Sequence, residues 1–159
     1  MPERLTTALS TGELIRLELD GKNVALGRYD TILWQVRSGF VIILYGALGL
    51  LFKDGLKPTA LSYEIVLLVC GFSLLAYLMD LNFRIRQLRV VKAYNLLIDQ
   101  ALKHSFGEKV DPTYLGELLQ LAGESRKPPL ELVAILRAAL FILAFYAFTP
   151  AVMLLLRVA

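Results

Sequence analysis

Apolar positions fall along the chain in three long blocks, residues 32–52, 58–79 and 130–156, separated by charged sequence: a short turn-like stretch after the first and a long one with helical periodicity after the second. The first block holds fifteen uncharged residues between Arg37 and Lys53. As a helix these rise only about 22 Å, short of the roughly 30 Å hydrocarbon core of a bilayer. A span here must therefore draw in the preceding turn. That sets Trp34 at the headgroup level and leaves Arg37 just inside, snorkelling outward. The second block is interrupted only by Glu64. Asp54-Gly55 and Lys57-Pro58 between the two blocks are turn signals, so the first two spans are expected to form an antiparallel hairpin. A hairpin brings Arg37 and Asp80 to one depth at the inner face, where they are expected to pair, because an unpaired charge there is costly. The third block has nineteen uncharged residues from Ala138 to Leu156, enough for one span. Arg137 is expected at its inner end, in one plane with Arg37 and Asp80. Pro128-Pro129 marks its start, and Pro150 is expected to kink it.

The flanking sequence also reads as helix. Residues 80–104 contain no Pro or Gly, and Val90, Val91, Tyr94, Leu97, Ile98, Ala101 and Leu102 share one face, with Gly107 closing the unit. Asp111-Pro112 opens a short amphipathic helix that ends at Gly123. Upstream, Ser10 and Glu13 match a capping box and predict a helix from Thr11. Ile15, Leu17 and Leu19 alternate, however, and Asp20-Gly21 is a hairpin signal. The reading favoured is helix, a break at Asp20-Gly21, then helix. A hairpin over residues 14–26 stays open as the alternative.

Composition narrows the setting. Hydrophobic residues make up 57% of the 159 and charged residues 19%, below the roughly 25% usual in soluble domains, with a mean hydropathy of +0.59. The fold class expected is all-α: a helical integral membrane protein with three transmembrane helices and a cytoplasmic helical subdomain. Its segments are residues 1–31 (cytoplasmic), 32–79 (transmembrane hairpin), 80–129 (cytoplasmic, helical) and 130–159 (third span). Only Lys53, Lys57 and Arg157 of the seventeen Lys and Arg then fall outside, so the positive-inside rule sets the N-terminus in the cytoplasm and the C-terminus outside. About thirty mostly polar residues precede the first span, which would itself act as the insertion signal. The single cysteine, Cys70, excludes an internal disulfide framework. A net charge of +3 gives no footprint for nucleic acid.

Candidate chemistry is sparse. Glu64 reads either as one of a ring of carboxylates lining an ion path in an oligomer, about one and a half turns inside the outer end of its span, or as a headgroup-level residue beside Tyr63. Gly39, Gly46, Gly49, Gly71 and Ser73 are small residues that permit close helix packing, within the hairpin or between copies. Arg84, Arg86, Arg89 and Lys92 lie directly under the membrane. They read as anionic-lipid or anionic-ligand contacts, or as the charge that the orientation itself demands. His104 is the only histidine, so no metal site and no Ser-His-Asp set is expected, and neither is a cofactor.

The run RYDTILWQVRSGF, the hairpin, and DLNFRIRQLRVVKAYNLLIDQAL give a layout over roughly residues 22–105 that resembles the SLATT family and similar small membrane effectors of bacterial defence systems. The third span is an addition to that two-span plan. The resemblance implies membrane permeabilisation after a partner senses infection. The function expected is thus a non-enzymatic, homo-oligomeric protein of the bacterial inner membrane that forms or gates a pore, in contact with membrane lipids and a cytoplasmic protein partner. The alternative is a non-catalytic anchor or adaptor subunit of a larger complex.

Overall fold

A computed structural model of the chain describes residues 10–53, 62–107 and 130–158. Among them every regular element is a helix: α1 (Thr11–Leu51), α2 (Tyr63–Ser105) and α3 (Leu132–Val158). The 41 residues of α1 and the 43 of α2 each run about 60 Å, twice the roughly 30 Å of hydrocarbon in a bilayer. All three helices are long and apolar enough to cross a membrane, and the chain is an all-helical membrane protein. The helix expected over residues 111–122, the Pro128-Pro129 start and the turn at residues 54–58 lie outside the described residues.

The chain divides into two compact units. The span unit comprises Tyr29–Arg86 and Glu131–Ala159, and the polar unit comprises Met1–Arg28 and Gln87–Leu130. Helices α1 and α2 contribute to both.

Helix α1 starts where the capping box predicts. The Ser10 backbone N–H donates to Glu13 Oε2 at 2.8 Å, and the Glu13 N–H donates to Ser10 Oγ at 3.3 Å, a reciprocal closure of two donors that a helix start leaves open. The expected break at Asp20-Gly21 does not occur, and neither does the hairpin: both residues are helical. Two causes are visible. The inward face continues in register through the site, with Ile15 and Lys22 buried and Leu19 and Leu26 half-buried. The Glu18–Lys22 pair, 2.5 Å apart one helical turn from each other, bridges the two residues. The strand-like alternation misleads because Leu17 is exposed, on the opposite side from Ile15. In the polar unit, Ile15 of α1 packs with Leu97 of α2, supported by Leu19, Leu96 and Ala101.

Helix α2 begins at Tyr63, with Ser62 as its cap: Ser62 Oγ accepts from the Ile65 N–H at 3.3 Å and Ser62 O accepts from the Val66 N–H at 3.2 Å. It runs unbroken beyond the second apolar block, as the residue pattern predicts, and ends at Ser105. Gly107 follows in the left-handed region at φ 76°, the conformation glycine adopts without strain past a helix end. Helix α3 carries Pro150 inside its length. Proline has no N–H, so the Tyr146 carbonyl one turn earlier loses its usual partner.

Contacts within the span unit fix the topology. Phe40 meets Tyr146 and Tyr45 meets Thr149, so α1 and α3 run in the same direction. Arg37 meets Asp80, Tyr146 meets Asp80 and Arg157 meets Tyr63, so α2 runs against both. The bundle is up-down-up. Its core joins Phe40 and Leu44 of α1, Val66, Val69 and Ala76 of α2, and Ile142, Tyr146 and Met153 of α3. On α2 the inward positions 66, 69, 73, 76 and 80 follow the alternating three- and four-residue step of helix-on-helix packing. The outward faces are large and apolar, including Ile42, Leu50, Leu67, Leu75, Phe141 and Leu155. A continuous surface of that kind belongs against lipid rather than water.

Candidate functional site

The span unit holds an ionic cluster that joins all three helices. Arg37 of α1 donates from Nε to Asp80 Oδ2 at 2.7 Å and from Nη2 to Asp80 Oδ1 at 3.1 Å. Tyr146 of α3 donates its hydroxyl to the same Oδ2 at 3.1 Å. Each helix sends its residue inward for a periodic reason. Arg37 lies one turn from the buried Leu33 and Phe40, Asp80 one turn from Ala76, and Tyr146 one turn from Ile142. Asp80 is fully buried, at 0% exposure, while the Arg37 side chain keeps 35%. An ionised carboxylate at that burial persists only when paired and hydrogen-bonded. The guanidinium supplies the counter-charge through a two-point fork, and the tyrosine supplies a further donor. Phe40 roofs the cluster, its ring stacked on Phe72 at 5.6 Å and edge-on to Tyr146 at 4.7 Å. Because Arg37 and Asp80 cancel, the cluster adds no net charge to the spans. Its chemistry is that of a clasp that ties three helices at one level.

The pairing of Arg37 with Asp80 is the one that the hairpin predicts. The third member expected in that plane, Arg137, is elsewhere. It is exposed and lies nine residues before Tyr146, about 13 Å along α3. The position that reaches Asp80 is instead Tyr146, which the charge pattern does not single out. Its signal was faint: a hydroxyl-bearing ring inside an apolar block, whose oxygen would need a partner wherever it was buried.

The remaining candidates separate. Glu64 is exposed in the first turn of α2, which Ser62 caps. There its charge is favoured by the helix dipole. Beside it, the Arg157 guanidinium sits 3.1 Å from the centre of the Tyr63 ring, a cation over an aromatic face at the end of both helices. Gly39, Gly46, Gly49 and Gly71 take no part in close packing among the described residues: a Cβ at any of them would meet nothing within 4 Å there. Ser73 is buried, and its Oγ has no partner among the described residues. The basic set divides between the units, Arg84 and Arg86 in one, Arg89 and Lys92 in the other. Arg86 is exposed and donates to Asn82 Oδ1 at 3.1 Å, whereas Arg84, Arg89 and Lys92 are half-buried. His104 is exposed near Gly12 in the polar unit, and no group of three metal-ligating side chains occurs among the described residues.

Comparison with protein-family models, with curated proteins and with solved structures gives no match for this chain. The clasp and the faces around it are therefore read on their own chemistry.

Proposed function

We propose that the chain is a non-catalytic membrane subunit, an anchor or adaptor that holds a cytoplasmic protein partner at a bacterial inner membrane. The observation that carries this is the direction of its polar groups. Within the spans Arg37, Asp80, Tyr146 and Thr149 turn into the bundle, whereas positions 38–52, 65–79 and 138–156 carry no charge on any face. A surface of that kind suits lipid and gives water or ions no wall to follow. Glu64, the one carboxylate suggested for an ion path, belongs to the first turn of α2 beside Tyr63 and Arg157. The polar unit supplies the docking surface, with Leu17, Val24, Leu102 and Phe106 exposed on it. The orientation that agrees with the distribution of Lys and Arg has the N-terminus in the cytoplasm and the C-terminus outside.

One observation favours a second reading, an oligomer that forms or gates a pore on a partner's signal. Gly39, Gly46 and Gly49 leave open surface on α1 against which another copy fits closely. This is the defence-effector role that the SLATT-like layout implies.

Photo-crosslinking in cells separates the two. A crosslinker at Leu17 that captures one defined second polypeptide, with no self-adduct from a crosslinker at Gly46, is the result expected of an anchor. A ladder of self-adducts through Gly46 contradicts it and favours the pore.

A further inference from the structure

We infer that the span unit binds an isoprenoid quinone, with the quinone ring in the groove between α1 and α3. The groove has a volume of about 360 Å³ and is lined by four phenylalanines, Phe40, Phe141, Phe145 and Phe148, with Tyr45 and Thr149 as its hydroxyl-bearing members. That is the make-up of a ligand site, apolar and aromatic walls around very few polar groups.

The hydroxyl pair identifies the ligand chemistry. Tyr45 Oη and Thr149 Oγ1 lie 2.9 Å apart, and either atom can be the donor. The pair carries two hydroxyl hydrogens, and the bond between them uses one. Whichever residue donates inward, the other keeps an O–H that no described residue accepts. In hydrocarbon a donor left open is costly, so the groove favours a ligand that brings an acceptor.

Depth excludes the commonest acceptor. Tyr45 stands eight residues from Arg37 and eight from Lys53, and Thr149 eight from Arg157, about 12 Å of helix in each case. The ester carbonyls of phospholipids are tied to their headgroups at the membrane surface. A quinone is neutral and flat and carries its carbonyls into the hydrocarbon. Its ring suits a slot of phenyl rings, and its tail leaves among the lipid chains.

Decylubiquinone added to the purified full chain in detergent tests this, with affinity and the infrared carbonyl stretch of the quinone as readouts. Saturable binding with a lowered carbonyl frequency is expected. Tyr45→Phe and Thr149→Val should each retain the lowered frequency, because either hydroxyl alone can donate. The double variant should lose it and bind about tenfold more weakly, the loss of one hydrogen bond. Ala144→Trp, which fills the groove from its outer side, should abolish binding while circular dichroism reports unchanged helix. Absence of saturable binding overturns the inference, as does a double variant that binds as tightly as the parent. So does a phospholipid ester band that shifts in the double variant while quinone fails to compete.

Discussion

Asp80 is the residue on which the span unit most depends, because its carboxylate is wholly buried and two helices send donors to it. Asp80→Asn leaves Arg37 without its counter-charge and should lower stability by about 3 kcal/mol, toward the low end for a broken buried pair because Arg37 is partly exposed. Tyr146→Phe removes one donor and should cost about 1 kcal/mol. The double change Arg37→Met with Asp80→Leu should recover most of the Asp80→Asn loss, since no uncompensated charge remains. Thermal unfolding in detergent, followed by circular dichroism, ranks these variants, and a double variant no better than Asp80→Asn would show that the clasp does more than neutralise charge. At the other end of α1, the Ser10 backbone N–H, and then the Ser10 hydroxyl, hold the Glu13 carboxyl below its ordinary value of 4.5. A lowered value means that the cap is at full strength above the ordinary value and is lost as pH falls through the lowered one. The protection of the Leu14 amide, whose N–H donates to Ser10 O, measured as its exchange rate relative to the unstructured rate at the same pH, should therefore fall on acidification through that range, and Glu13→Gln should remove the dependence. Both ends of this pattern were readable beforehand, Ser10 and Glu13 from their spacing and Arg37 with Asp80 from the hairpin. Tyr146 was not, since neither its ring nor its spacing distinguishes it from the neighbouring aromatic residues until α3 is placed against α2.

At the scale of the element, α1 is where local and long-range signals conflict. Asp20-Gly21 is a turn signal, and Ile15, Leu17 and Leu19 alternate as in a strand. The inward face, in register from Ile15 through Lys22 to Leu33, overrides both. Gly21 is helical, has no unusual φ and has open space where a Cβ would stand. Gly21→Ala should thus stabilise the chain by about 0.5–1 kcal/mol. A turn at this site would turn that gain into a loss, so a lowered melting temperature in the variant would contradict a continuous α1. The start of α2 was misplaced for a related reason. Hydropathy marks where apolar residues begin, while a helix begins where its first N–H groups find an acceptor, here Ser62. Glu64 accordingly lies in the first turn of α2, where the helix dipole favours its charge.

For the whole molecule, three spans and an all-helical fold follow directly from the three apolar blocks, because backbone in lipid must satisfy itself within helices. The relative depths of the charges do not follow so simply. They depend on how α3 slides along its neighbours, and the contacts of Tyr146 with Phe40 and Asp80 and of Thr149 with Tyr45 set that slide. The outcome is a bundle that joins its three helices through an internal Arg37–Asp80–Tyr146 clasp and presents uncharged faces outward. Ion flux through planar bilayers containing the purified full chain tests this central claim most directly. An anchor with uncharged outward faces should leave the conductance at that of the lipid alone. Discrete conductance steps whose ion selectivity changes with Glu64→Lys would contradict it and return Glu64 to the wall of a pore.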